Sequence, residues 1–257
     1  MNILVCIKQV LEPETNLVVD SSGRWVVPTH APRYQLNRFD EYAVELAVQI
    51  KEKHAGARVD VITVGPASAK TILERALGMG ADDAVHILVD DVSPPLPPRT
   101  IAEWIAEHSR NKNYDLILTG AMSEDLMQGQ VGPMIAMALE YPWATAAIET
   151  DIHDGEIKVA RELEGGVRHN LVLRLPALLA VQSGINKPRY PTLSGLLRAK
   201  KHEIMKLDSS TLPVSPPALE IVTASLPGQI RNGVMLEGDP AQLADKLVSI
   251  LKDKALI

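Results

Sequence analysis

Two stretches of this sequence bring together residue types whose spacing can do chemistry. The first is Gly120-Ala121-Met122-Ser123, leading through Gln128-Gly129-Gln130 into Val131-Gly132. Glycine there frees backbone amides to point at a ligand, and a helix starting nearby adds its positive end, a combination that suits a phosphate. Turn geometry alone also uses glycine in this way. Neither GxxxxGK(S/T) nor GxGxxG occurs, so Walker-type hydrolysis and a Rossmann dinucleotide fingerprint are unsupported. Asn37-Arg38-Phe39-Asp40-Glu41 offers a second wall, although by itself it reads more simply as an apolar plug, Phe39, under a helix start capped by Asp40.

The second stretch is Asn186-Lys187-Pro188-Arg189-Tyr190-Pro191-Thr192-Leu193, running into Leu197-Arg198-Ala199-Lys200-Lys201. Two prolines fix φ and remove two backbone donors, which predicts a rigid exposed turn entering a short helix. Leu193 is then presented outward beside Arg189, Arg198, Lys200 and Lys201, an apolar anchor inside a basic rim of the kind used for protein docking. The same residues suit an ordinary connection with a solvated basic helix end.

Catalytic constellations are poor. The seven histidines are scattered, without an HExxH pair, and no GxSxG elbow occurs. They are expected at the surface. Glu162 and Glu164 share a strand face beside Gly165-Gly166, which a solvated hairpin tip explains better than paired acids. Cys6, the single cysteine, excludes an internal disulfide and a multi-cysteine metal site, and at the end of a buried strand it acts as a small hydrophobe. Neither metal chemistry nor catalysis by this chain's own side chains is expected.

The elements that must position these stretches follow a βαβ rhythm: strands at 3–7, 58–64, 84–89 and 115–119, with helices over 40–53, 67–79, 99–109 and 126–139. This predicts an α/β fold, an open doubly wound and mostly parallel sheet. Runs at 144–148, 156–161, 168–175 and 177–181, with turn signals at Asp154-Gly155 and Gly165-Gly166, predict added antiparallel strands. Ser209, Ser210, Pro213, Ser215, Pro216 and Pro217 read as a linker after Lys201. Asp239-Pro240 then opens a terminal helix with Leu243, Leu247, Ile250 and Leu251 on one face. The expected division is a ligand-binding α/β domain over 1–200, docking loop 186–201 included, and a linker with helical arm over 201–257. Four loops lie where ligands bind in such sheets, beyond the strands' carboxyl ends: those beginning at Cys6-Ile7-Lys8-Gln9, Val64-Gly65-Pro66, Asp90-Asp91 and Gly120.

With 257 residues, 46% hydrophobic and 23% charged, the chain can bury one substantial core. No apolar run approaches the roughly 18 residues of a membrane helix, so membrane insertion is not expected. A net charge of −6 disfavours nucleic acid. The start, Met1-Asn2-Ile3-Leu4-Val5, reads as a strand rather than a leader, which predicts a cytoplasmic protein.

These residues carry a resemblance. Val159-Ala160-Arg161-Glu162-Leu163-Glu164-Gly165-Gly166, then Leu171 and Pro176-Ala177-Leu178-Leu179-Ala180, resemble the signature of electron transfer flavoprotein beta subunits, with His169 where Glu or Gln is usual. Asn186, Pro188, Arg189, Tyr190, Thr192 and Leu193 match that family's recognition loop. The resemblance implies an electron carrier: a heterodimer with an alpha subunit that holds most of an FAD. Electrons would come from a flavin dehydrogenase of the acyl-CoA dehydrogenase type docked at Leu193, and pass to a membrane or soluble oxidoreductase.

It also implies an AMP in this subunit. Carried over residue by residue, the contacts are Cys6; Asn37, Arg38, Phe39 and Asp40; Val64; and the loop Gly120, Ala121, Met122, Ser123, Glu124, Asp125, Leu126, Met127, Gln128, Gly129, Gln130 and Val131. The family's Gly-Lys/Arg-Gln-Ala-Ile-Asp is here Gly120-Ala121-Met122-Ser123-Glu124-Asp125, without its basic side chain and amide. Bifurcating members, which hold a second FAD, usually carry Ala-Asp-Thr-Leu-Ala-Thr where this chain has Pro97-Pro98-Arg99-Thr100-Ile101-Ala102, which favours AMP. Pro13 replaces an aromatic residue of some members. The alternatives are a bifurcating subunit and a stand-alone adenine-nucleotide sensor of the same fold.

Overall fold

The computed structural model describes residues 1–90, 95–110, 112–213, 220–228 and 233–257. In chain order its strands and helices are β1 (Asn2–Cys6), β2 (Gln9–Leu11), β3 (Leu17–Val19), β4 (Val26–Pro28), β5 (Tyr34–Leu36), α1 (Arg38–Lys53), β6 (Arg58–Gly65), α2 (Lys70–Met79), β7 (Asp83–Leu88), α3 (Pro98–Ser109), β8 (Leu116–Gly120), α4 (Val131–Leu139), β9 (Trp143–His153), β10 (Glu156–Glu162), β11 (Arg168–Arg174), β12 (Ala177–Val181), α5 (Leu193–Ala199), β13 (Met205–Asp208) and α6 (Pro240–Asp253). One compact unit spans Met1–Ala224 and a second Ser225–Ile257.

The first unit is built on a nine-stranded sheet of order β11-β10-β9-β12-β8-β1-β6-β7-β13. All neighbours pair in parallel except β9 with β10 and β10 with β11. Period-two alternation sorts the side chains of the central strands. Ile3 and Val5 of β1 join Leu116 and Leu118 of β8 in the core under α1 and α2. Leu4, Cys6 and Ile117 point the other way, into the core under α3 and α4. Helix ends carry their usual signals: Asp40 and Glu41 in the first turn of α1, Lys51 and Lys53 in its last, and Pro98 opening α3. Chain order runs β1, β6, β7 to one side and then returns to β8 on the other side of β1, so the strand order reverses between β1 and β8.

The expected doubly wound sheet with antiparallel additions is present. Particular elements differ from expectation. The run at 177–181 pairs in parallel with both β8 and β9; all five of its residues are buried and apolar, which suits a strand covered on both faces. The helix expected from residue 126 starts only at Val131. Before it, Met127 N–H donates to Ser123 O and Ser123 N–H to Gln128 O, closing a turn in which Met127 has φ 50°. Residues 9–36, for which the hydrophobic pattern predicted nothing, form two antiparallel pairs, β2 with β5 and β3 with β4.

The stretch expected to be a linker begins as sheet, since β13 pairs in parallel with β7. Pro213 O then accepts from Trp104 Nε1 at 2.7 Å, tying the chain back to α3. Ser215, Pro216 and Pro217 lie outside the described residues, as does Asp91. His86 is buried, not on the surface as expected, its Nε2 3.0 Å from Gly65 O. In the second unit α6 starts with a capping box between Asp239 and Gln242, and none of its residues is buried. Among the described residues no helix is long and apolar enough to cross a membrane.

Candidate functional site

Where β1 and β8 part, their carboxyl ends open into a cavity of about 120 Å³. This is the position at which open parallel sheets bind small molecules. Cys6 at the end of β1 and Ile7 and Lys8 just after it line the cavity, with Val64 from β6, Thr119 and Gly120 from β8, and Gln130, Val131 and Gly132 at the start of α4. Leu96, Ile101 and Ile105, on and just before α3, form an apolar wall. Helical geometry leaves the Val131 and Gly132 amides without intrahelical acceptors, the first bond of α4 being Met134 N–H to Gln130 O. Among the described residues, the cavity thus offers an apolar slot, a helix N-terminus and one cation.

The loop that closes the cavity is held from α1. Asn37 Nδ2 donates to Met122 O at 2.9 Å, and its Oδ1 accepts from Glu124 N–H at 3.1 Å. Asp40, expected as a helix cap, instead accepts from Lys8 N–H at 2.8 Å and Gly120 N–H at 3.0 Å, joining α1 to the ends of both strands. It is 5% exposed, and burial pushes its carboxyl up to about 7 against those hydrogen bonds. Gly120 and Gly129 are glycines for lack of space: a Cβ at 120 would lie 2.6 Å from Phe39 Cβ, and one at 129 would lie 2.5 Å from Ala121 O. Burial raises the Cys6 thiol well above its ordinary value, keeping it protonated.

Of the residues expected around a nucleotide, Cys6, Asn37, Asp40, Val64, Gly120, Met122, Ser123, Leu126, Gln128, Gly129, Gln130 and Val131 line the cavity. Arg38, Phe39, Ala121, Glu124, Asp125 and Met127 sit behind or beside it. Arg38 pairs with Glu124 at 3.6 Å, and Phe39 packs against the Gly120 backbone. Met127 is 71% exposed. Asp125 is bound to Lys8, a lining residue absent from the expected set, whose Nζ lies 2.7 Å from both carboxylate oxygens. Its place directly after the first strand was the available signal.

The segment expected to dock a partner is fastened separately. Asn186 Nδ2 donates to Tyr42 O at 3.0 Å. Arg189, expected on an outward basic rim, turns inward: Nε and Nη2 donate to Glu45 at 2.8 and 3.0 Å, and Nη1 and Nη2 to Glu52 at 2.6 and 3.0 Å. Thr192 caps α5 by accepting from Gly195 N–H at 3.0 Å. Helices α2 and α5 then meet at two glycines, where a Cβ on Gly195 would lie 2.8 Å from Gly78 O. With these contacts facing in, Tyr190, Leu193 and Leu197 face out, 86%, 76% and 55% exposed, beside exposed Arg198, Lys200 and Lys201.

A family model described as the electron transfer flavoprotein domain matches residues 24–212. The chain is 33% identical over 261 residues to the electron transfer flavoprotein subunit beta of Bacillus subtilis (strain 168), covering all of both chains. It is 34% identical over 261 residues to the mitochondrial subunit beta of Oryza sativa subsp. japonica, again over the full length of both. The human subunit beta is 32% identical over 255 residues, 98% of this chain and 97% of that protein. A full-length match on this scale, joined to a cavity at the strand-order reversal and a segment fastened inward with its leucine outward, places the chain in the electron transfer flavoprotein family, among the beta subunits.

Proposed function

We propose that this chain works as one half of a heterodimeric electron carrier, holding an AMP in the β1/β8 cavity while a companion alpha subunit holds most of an FAD. The cavity supports the nucleotide: apolar side chains from α3 suit a base, and Lys8 with the free amides of α4 suits a phosphate. Bound FAD would supply the electron chemistry. The residues of this chain orient and dock. Leu193 and Tyr190 meet a flavin dehydrogenase of the acyl-CoA dehydrogenase type, and the exposed cations beside them speed encounter with an acidic surface. A membrane or soluble oxidoreductase takes the electrons onward, and the proposed compartment is the cytoplasm.

The observation that carries this reading is the cavity at the strand-order reversal, with the cation Lys8 and a helix N-terminus in its wall. Purified with its companion, the protein should be yellow and release one FAD and one AMP per heterodimer on denaturation. Two FADs would point to a bifurcating subunit. A colourless homodimer would overturn the carrier assignment.

A further inference from the structure

Lys8 is the only lysine or arginine among the described residues that line the cavity, and no histidine joins it there. Its Nζ is shared between the two oxygens of Asp125, both at 2.7 Å, and Ser123 Oγ at 3.4 Å. An ammonium has three donors. Two are well used by Asp125, whereas the third contact is longer than an ordinary N–H···O bond. The third donor is therefore the one an incoming anion can take at small cost, and the Ser123 hydroxyl, also in the cavity wall, is free to rotate and donate alongside it.

The charge around the loop makes this cation necessary. Glu124 and Asp125 are adjacent acids on the segment that closes the cavity, and Arg38 approaches Glu124 at 3.6 Å from outside the lining. A phosphate at the start of α4 would meet an unscreened Asp125 if Lys8 were neutral. We propose that Lys8 is the phosphate-binding cation of this cavity, reaching it from the end of β1 with Asp125 as the carboxylate that competes for the same ammonium. This rests on the nucleotide reading above and adds the residue that selects for the phosphate. It also assigns Asp125 a sign: the carboxylate holds Lys8 in place yet opposes the ligand.

The test is calorimetric titration of AMP, and separately of adenosine, into the nucleotide-stripped heterodimer and its variants. Lys8→Gln should weaken AMP by about ten- to a hundredfold, the worth of one charge-assisted hydrogen bond, and leave adenosine within about twofold. Asp125→Asn should tighten AMP, because it removes the competing charge. A role for Lys8 only as a prop for the loop predicts the opposite, with Asp125→Asn weakening AMP as much as Lys8→Gln does. The double variant Lys8→Gln/Asp125→Asn, which leaves no unpaired charge and keeps the α4 amides, should still bind AMP more weakly than the parent does, with adenosine unchanged. Unchanged AMP affinity in Lys8→Gln, or equal losses of AMP and adenosine, would overturn the assignment while leaving the nucleotide site standing. Failure of the unaltered heterodimer to bind either ligand would remove the nucleotide reading and this inference with it.

Discussion

Arg189→Met should cost the protein about 3 kcal/mol, nearly all of it through one carboxylate. The substitution removes four side-chain hydrogen bonds, two to Glu45 and two to Glu52. The Glu52 side chain is 56% exposed, so that pair is screened by water and contributes under about 1 kcal/mol. Glu45 is different, with only 4% of its side chain exposed. Breaking a buried pair leaves an uncompensated charge and typically costs about 3–5 kcal/mol. The lower end applies, because Arg189 is itself 35% exposed and Glu45 retains hydrogen bonds from Gln49 and from the backbone at 189.

Urea unfolding followed by circular dichroism reads this loss, and the double variant Arg189→Met/Glu45→Met closes the cycle. With both charges gone, most of the stability should return. Acid should narrow the gap between the parent and Arg189→Met. Burial raises the Glu45 carboxyl, but hydrogen bonds and charge from Arg189 outweigh it and leave the group below its ordinary 4.5. Its contribution is therefore present above that value and is lost as pH falls through the lowered one. An Arg189→Met protein that loses less than about 1 kcal/mol, or a double variant no more stable than the single, would refute this account.

Leu193→Ala should leave stability within about 0.5 kcal/mol of the parent, since the side chain is 76% exposed, yet slow flavin reduction by the partner dehydrogenase in stopped-flow absorbance. Unchanged kinetics would remove the anchor role. Gly129→Ala forces a Cβ to within 2.5 Å of Ala121 O, a backbone atom that cannot rotate away; a cost of about 1–3 kcal/mol and loss of retained AMP are expected by melting and nucleotide release. Asp40 titrates at about 7 in the fold against 3.8 ordinarily, so the folded state binds the extra proton between those values and stability falls as pH rises across them. Asp40→Asn should flatten that slope when urea midpoints are compared from pH 4.5 to 8.

The βαβ order was legible because β1, β8 and β12 carry contiguous apolar runs and α1 carries a face of helical period. The short pieces were not. Strands β2 to β5 have three residues each, too few for alternation to register, and every residue of β13 except Leu207 is exposed. Within the cavity, residue types near strand ends were readable but partnerships were not. Asp40 looked like a cap because its acceptors' donors, Lys8 and Gly120, lie 32 and 80 residues away. Lys8 reads only as part of a loop at a strand end, because what gives it meaning, Asp125, is 117 residues distant. Arg189 looked outward because a basic residue beside prolines gives no hint of two glutamates on a helix 137 and 144 residues earlier.

That inward fastening separates two jobs within one short segment. Asn186, Arg189, Thr192 and Gly195 keep the segment on the body of the protein, whereas Tyr190, Leu193 and Leu197 spend almost nothing on folding. The presented side chains can therefore be substituted without unseating what carries them, and the face they form can change in shape and polarity with no rebuilding of the sheet.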